Sequence, residues 1–132
     1  MASKVTLKTK RDFDMVYKNA SRVFLKSFTL YVLDLRSAGK WKNGISVYNS
    51  NMAQVIYGLS VSKKIGHAPN RNLIKRRIRA LLDIYADKLS DLALIFVPKA
   101  VCDFDVLESD LLRALDLYRK YPNKRKALKS TA

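Results

Sequence analysis

A strand, a helix and a second strand follow one another between residues 54 and 97, and this order constrains the fold most. Residues 54–62 alternate between an apolar face and a face of mostly small or polar side chains, which suits close approach of another chain. An apolar stripe at helical spacing then covers about residues 70–88. Asp91–Val97 is a nearly continuous apolar run ended by Pro98, as in a buried strand. The pattern predicts a βαβ unit, for which the general rule is a right-handed crossover.

Two further helices and additional strands are predicted outside this unit. Thr9 begins a capping-box-like pattern, which predicts a first helix over about residues 10–19. Ser27–Leu35 is rich in residues that favour strands, and three turn signals within residues 37–51 favour an extra hairpin. A second capping-box-like pattern at Asp105 predicts the start of the last helix.

These elements follow in the order α-β-β-β-α-β-α, which predicts an α+β fold. We expect residues 1–120 to form a single small domain, with an about four-stranded sheet packed with three helices. Hydrophobic residues make up 48% of the chain, enough to bury a core. Residues 121–132 are basic and poor in apolar side chains, so we expect a disordered tail there.

The charge of the chain is large and unevenly distributed. The formal net charge is +15. There is no Asp or Glu from Leu35 to Leu82, whereas eight acidic residues lie between Asp83 and Tyr118. Because such a surplus is self-repulsive in a folded protein, it predicts a polyanionic partner for the basic half.

The predicted second helix separates its cations from its apolar stripe. On a helical wheel Asn72, Lys75, Arg76 and Arg79 fall within an arc of about 100°, with Arg71 beside them. A helix with ordinary solvated charges usually mixes signs, but here no acid appears from Gly66 to Leu82. The positive end of the helix dipole adds to this attraction for phosphate. The residues predicted to bind nucleic acid are Lys63, Lys64, Arg71, Asn72, Lys75, Arg76 and Arg79.

The sequence offers little for catalysis by the protein itself. Cys102 is the only cysteine and His67 the only histidine, which excludes an intrachain disulfide, a cysteine-based zinc cluster and ordinary Ser-His-Asp or Cys-His catalysis. Four acids suggest a nuclease metal site, but their position favours a role at the start of the last helix: Asp103, Asp105, Glu108 and Asp110. We therefore predict no catalytic or metal-binding residue.

Residues 1–10 lack the apolar run of a signal peptide, and no stretch approaches the length of a membrane span. We therefore expect a cytoplasmic protein without a membrane partner.

Two motifs resemble the protein subunit of bacterial ribonuclease P. Residues 62–68 read SKKIGHA, a Lys-Lys strand exit followed by Gly and Ala. Residues 71–79 read RNLIKRRIR, an Arg-Asn helix start followed by Lys-Arg-x-x-Arg. The resemblance covers about residues 5–117 in order. It departs from the family at Leu73, where the third member of an Arg-Asn-Arg triplet is expected. It also departs at Pro98, where an Arg is usual and Lys99 is a candidate substitute.

This resemblance implies two nucleic-acid surfaces and a left-handed βαβ crossover, contrary to the general rule. The basic helix, with the seven residues named above, would bind the catalytic RNA. A cleft between the first helix and the sheet would hold the single-stranded 5′ leader of precursor tRNA, because aromatic faces stack on unpaired bases. For the rings, packing in the core is the alternative. The implied leader-binding residues are Phe13, Tyr17, Tyr31, Lys64, Lys75 and Arg79.

The same resemblance implies a role in an endoribonuclease whose chemistry is done by RNA. The partners would be ribonuclease P RNA and precursor tRNA, with no protein partner implied. Mg²⁺ would be held by the RNA subunit, and the protein would bind no cofactor of its own. Two alternatives stay open at this point: a ribosomal protein or RNA chaperone, and a nuclease that acts without RNA.

Overall fold

The computed structural model describes residues 2–36, 52–120 and 128–129. Within these ranges no helix is long and apolar enough to cross a membrane. The elements are, in chain order, β1 Ser3–Thr6, α1 Lys10–Asn19, β2 Ser21–Phe24, β3 Phe28–Asp34, β4 Gln54–Leu59, α2 Ala68–Tyr85, β5 Leu92–Pro98, α3 Phe104–Lys120 and β6 Leu128–Lys129. A short 3-10 helix precedes α2 (Lys63–Ile65) and another follows it (Ala86–Leu89).

The strands form one mixed sheet in the order β1-β4-β5-β3-β2-β6. β4 is parallel to β1 and to β5, whereas β3 is antiparallel to β5 and to β2. The predicted α+β class with three helices is confirmed. The sheet has five principal strands instead of about four, with the two-residue β6 added beside β2. The sequence predicts neither β1 nor β2, each of which is only four residues long.

The helix boundaries agree closely with the sequence analysis. α1 spans the predicted residues, and the Thr9 side chain accepts a hydrogen bond from the Asp12 backbone N–H at 3.1 Å, as an N-cap does. α2 begins at Ala68, with Pro69 in its first turn, where a missing N–H costs nothing. The predicted last turn of this helix is instead the 3-10 helix Ala86–Leu89.

Two predictions concern residues at the margins of the described chain. The hairpin predicted within residues 37–51 lies outside the described residues. Within the tail expected to be disordered, Leu128–Lys129 pair with β2 in parallel, and the expectation for the tail stays a prediction. The rest of residues 121–132 lies outside the described ranges.

The two faces of the sheet carry separate apolar cores. One core joins the sheet to α2 and α3, and it includes Val55 and Phe96. The other joins the sheet to α1, and it includes Val16, Ile56 and Ile95. Successive residues of β4 thus point to opposite faces, which confirms the predicted alternation. α1 is the only described helix on its face of the sheet, and it contacts mainly β3 and β5.

The predicted βαβ unit is present as β4, α2 and β5, with β4 and β5 as parallel neighbours. The handedness of its crossover stays a prediction. Because the two strands are parallel, their carboxyl ends lie at the same end of the sheet. The 3-10 helix Lys63–Ile65 and the start of α2 follow directly from that end.

Candidate nucleic-acid interface

α2 carries its cations on the side that faces away from the sheet, as the sequence predicts. The buried side of the helix packs into the core that it shares with α3. Asn72, Arg76 and Arg79 are exposed, and Lys75 is half-buried. We call these four residues the α2 cationic surface. In the described part of the chain, none of its three cations forms an ion pair.

An ion pair neutralises the acid that follows this surface. Asp83 lies four residues after Arg79, a spacing at which helix side chains are neighbours. Lys4 of β1 pairs with Asp83 at 2.7 Å, and its Nζ also donates to the Arg79 carbonyl oxygen at 3.5 Å. The Ala2 backbone N–H donates to Asp87 Oδ1 at 2.9 Å. These contacts hold β1 and the residue before it against the C-terminal half of α2. Lys4 thereby neutralises Asp83, the acid that follows the α2 cationic surface.

Two other arginines of α2 have different surroundings. Arg71 is half-buried, and its Nε is buried without a hydrogen-bond partner among the described residues. Arg77 donates from Nη1 to the Cys102 carbonyl oxygen at 2.6 Å, which ties α2 to the segment before α3. Arg77 thus has a structural contact, whereas RNA binding by Arg71 stays a prediction.

Lys63 and Lys64 are exposed in the short 3-10 helix between β4 and α2, which Ile65 anchors in the core. The helix ends at Gly66, whose φ of 128° lies in the left-handed region that favours glycine. The Gly66 N–H donates to the Lys63 carbonyl oxygen at 3.1 Å. This turn places the two lysines at the carboxyl end of β4, directly before the first turn of α2.

Phe13, Tyr17 and Tyr31 meet on the α1 face of the sheet, and we call them the aromatic cluster. The Tyr17 and Tyr31 ring centroids are 4.7 Å apart, with an interplanar angle of 89°. The Phe13 and Tyr17 centroids are 6.4 Å apart. All three side chains are half-buried at the margin of the α1 core. The structure thus brings together the three rings singled out in the sequence, and their binding role stays a prediction.

The space above Gly58 is filled by Phe13. A Cβ added at Gly58 would lie 2.5 Å from Phe13 Cε1 and 3.0 Å from Leu7 Cδ1. From the sequence, this face of β4 is expected to admit another chain. At Gly58 that expectation is wrong because α1 itself packs there. Phe13 therefore helps to hold α1 on the sheet, while Tyr17 of α1 contacts Tyr31 of β3.

Beyond the aromatic cluster, the same face continues toward the carboxyl ends of β4 and β5. Phe24, Thr29 and Val97 are neighbours across β2, β3 and β5 in the strand register. One row closer to α1, Arg22 lies directly opposite Tyr31. The Arg22 Cζ is 5.0 Å from the centroid of the Phe24 ring. No strand is predicted over residues 21–24, so this pair is not apparent from the sequence, although burial alternates along β2.

Lys75 and Arg79 were assigned by resemblance both to the basic helix and to the leader cleft. The structure places them on α2, which packs on the face of the sheet opposite to α1 and the aromatic cluster. It groups them with the cations of α2, near the β1 edge to which Lys4 belongs. Their part in leader binding stays a prediction. Lys64 lies at the end of the sheet toward which the face with the aromatic cluster continues.

The acids around α3 make structural contacts. Glu108 accepts a hydrogen bond from the Tyr85 hydroxyl at 2.9 Å. Asp110 is buried; it accepts hydrogen bonds from the backbone N–H and the hydroxyl of Ser27 and lies 3.5 Å from Arg113. No group of three His, Cys, Asp or Glu in the described ranges is placed to hold a metal ion. The nuclease metal site considered for these acids thus finds no support in the geometry.

Three described side chains have a pKa above the ordinary value of their type: Cys102, Tyr118 and Tyr85. Burial, with help from Asp110 and Asp103, raises the pKa of the Cys102 thiol. Burial and the nearby Asp34 raise the pKa of Tyr118 to about 12. The hydrogen bond to Glu108 raises the pKa of Tyr85. These groups therefore stay protonated at neutral pH, the opposite of what activates a nucleophile.

The two residues that depart from the family pattern, Pro98 and Leu73, lie in β5 and α2. Pro98 is buried and ends β5 opposite Phe28. The Lys99 backbone N–H donates to the Ser27 carbonyl oxygen at 2.9 Å, and its Nζ donates to the Leu25 carbonyl oxygen. Lys99 thus holds the turn between β2 and β3, so its ammonium group already has a partner. Leu73 is half-buried on α2 and offers no charge there.

The chain is similar to proteins of known family over nearly its whole length. The family model described as Ribonuclease P matches residues 1–119. A ribonuclease P protein component from Helicobacter pylori is 41% identical over 128 residues, which cover 90% of this chain and 80% of the relative. One from Helicobacter hepaticus is 42% identical over 120 residues, covering 85% and 82% of the two chains.

Solved structures of this family share the fold. The RNase P protein from Staphylococcus aureus matches with a TM-score of 0.66 at 23% identity, covering 86% of this chain and 94% of its own. The RNase P protein from Thermotoga maritima matches with a TM-score of 0.63 at 20% identity, covering 83% and 94%. The sequence relatives and the family model carry the assignment, and it replaces the alternative of a ribosomal protein. This chain belongs to the ribonuclease P protein family.

Proposed function

We propose that this protein assists the RNA subunit of ribonuclease P in removing the 5′ leader from precursor tRNA in the cytoplasm. In this proposal Lys63, Lys64, Arg71 and the α2 cationic surface bind the RNA subunit. The aromatic cluster binds the unpaired leader. Lys64 supplies positive charge along the path of the leader, and Lys75 and Arg79 add to it only where the leader passes to the α2 face of the sheet.

One observation carries the proposal: the sheet separates the α2 cationic surface, whose cations have no ion pair within the described ranges, from the aromatic cluster on its other face. A protein with both surfaces can hold two nucleic-acid segments at once. Cations that have no acidic partner among the described residues can contact the phosphates of a folded RNA. The counterions released by these contacts favour binding. Half-buried tyrosine rings suit unpaired bases, whose stacking tolerates any sequence. The two surfaces therefore match a catalytic RNA and a single-stranded leader, respectively.

The proposal assigns the hydrolysis itself, and the Mg²⁺ that supports it, to the RNA subunit. Glu108 and Asp110, two of the acids considered for a metal site, accept hydrogen bonds from Tyr85 and Ser27. Cys102 keeps its proton at neutral pH because burial raises its pKa. The protein would thus contribute by positioning the substrate and by neutralising charge between two polyanions.

Processing of a precursor tRNA tests this division of labour. The protein alone, the RNA subunit alone and the reconstituted complex are compared at a low Mg²⁺ concentration. We expect the protein alone to leave the substrate intact and the complex to cleave faster than the RNA subunit alone. Cleavage by protein that has been freed of RNA by nuclease treatment would contradict the proposal, as would a complex no faster than its RNA subunit.

A further inference from the structure

Arg22 and Phe24 lie on the same face of the sheet as the aromatic cluster. They alternate along β2 with Val23, which is fully buried in the core on the α2 and α3 side. Their side chains therefore stand on the α1 side. Arg22 is directly opposite Tyr31 in the antiparallel register, where facing Cβ atoms are about 5 Å apart. Strand β2 thus continues the aromatic cluster beyond Tyr31.

The Arg22 guanidinium is exposed and lies over an aromatic ring. Its Cζ is 5.0 Å from the Phe24 centroid, within the range of a cation–π contact. Arg22 has no ion pair with any acid in the described ranges. Because Phe24 is half-buried, its ring is held in place beneath the Arg22 guanidinium. A guanidinium held in this way keeps its charge and its free planar face available, which is the form in which arginine stacks on a base.

Three aromatic rings and one guanidinium group lie in a row on this face of the sheet. Tyr17 contacts Tyr31 edge to face, Tyr31 stands opposite Arg22, and Arg22 covers Phe24. Neighbouring strands are about 4.8 Å apart, so the step from Tyr31 to Arg22 is short enough for adjacent nucleotides. We propose that Arg22 and Phe24 form a further subsite, which takes one more unpaired nucleotide of the RNA strand held at Tyr17 and Tyr31. The base stacks on the guanidinium, whose charge also attracts the phosphate.

This inference rests on the proposed binding of the leader by the aromatic cluster, and its test separates the two. The affinity of the reconstituted complex is measured for precursor tRNAs whose leaders are shortened one nucleotide at a time. The variants are Arg22→Ala, Arg22→Lys and Tyr31→Ala. Arg36→Ala is the matched control, because Arg36 is equally cationic and exposed but faces Asp34 and Asp91 at the opposite end of β3.

We expect Arg22→Ala to weaken binding of long-leader substrates by about five- to a hundredfold, the effect of one lost stacked base. Arg22→Lys keeps the charge without the planar face, so it should recover only part of this loss. The loss should disappear once the leader is too short to reach β2, and Arg36→Ala should bind like the unmodified protein. Melting temperatures are expected to stay unchanged because both arginines are exposed.

Three outcomes would overturn the subsite. In the first, Arg22→Ala weakens binding no more than Arg36→Ala does. In the second, the loss of affinity is the same for every leader length, which would indicate that Arg22 contacts the RNA subunit instead of the leader. In the third, Arg22→Lys binds like the unmodified protein, which would leave only a charge effect. If Tyr31→Ala also keeps full affinity for long leaders, the proposed leader-binding role of the aromatic cluster fails as well; if only Arg22→Ala does, that role stands.

Discussion

Replacing Lys75, Arg76 and Arg79 together by Ala should reduce the salt dependence of binding to the ribonuclease P RNA subunit. The three side chains project from α2 without ion pairs in the described part of the chain, so each is available to a phosphate. Every phosphate contact contributes about 0.7 to 0.9 to the slope of log affinity against log salt. Three lost contacts therefore lower the slope by about 2 to 2.7.

This change in slope has a directly measurable size. Between about 50 and 200 mM salt, the unmodified protein should lose about twenty- to fortyfold more affinity than the triple variant. Fold stability should be retained, since Ala favours helix at these positions and none of the three side chains is fully buried. Binding to the RNA subunit is measured by filter retention over a series of salt concentrations, with a thermal melt of each protein.

The matched control removes the same charge from elsewhere. Arg36, Arg113 and Lys120 each pair with an aspartate, so a triple Ala variant at these positions changes the net charge equally. Its slope should stay close to that of the unmodified protein. If both triple variants show the same slope, the effect depends on net charge alone, and α2 is not the surface that meets the RNA subunit. Arg71 is omitted because its Nε is buried, so its replacement would change the stability of the fold as well as RNA binding.

Two further predictions concern the α1 face. Tyr17→Ala or Tyr31→Ala should weaken the affinity of the complex for precursor tRNA by about five- to a hundredfold and leave that for mature tRNA unchanged. Equal losses for both RNAs, or a collapse of the melting temperature, would instead assign these rings to the core. Gly58→Ala should lower the free energy of unfolding by about 1–3 kcal/mol, because its Cβ would overlap the Phe13 ring. Adding Phe13→Leu should relieve part of that loss in denaturant titrations, and strictly additive losses would refute the contact.

The helices could be predicted from the sequence because their signals are local. The Thr9 cap, the proline in the first turn of α2 and the apolar stripes all act within a few residues of chain. The cations of α2 could be grouped for the same reason, since a helical wheel needs no knowledge of the rest of the fold. The short strands β1 and β2 carry no comparable local signal.

The contacts that decide which side chains are free depend on distant parts of the chain. Lys4 reaches Asp83, Phe13 fills the space above Gly58, and Lys99 bonds to the β2–β3 turn. None of these pairs is close in sequence, so periodicity and caps could not reveal them. The Arg22–Phe24 pair was missed because its importance depends on the pairing of β2 with β3.

The strand order has a consequence for how the chain folds during synthesis. β5 is the last of the five principal strands along the chain, yet it lies in the middle of the sheet, between β4 and β3. Until β5 has left the ribosome, the β1–β4 pair and the β2–β3 pair have no strand to join them. α2 connects β4 to β5, so its cations face an RNA partner in a fixed arrangement only after that late insertion. Because the central strand arrives last, the fold depends on pairings between distant segments and should form slowly and all at once.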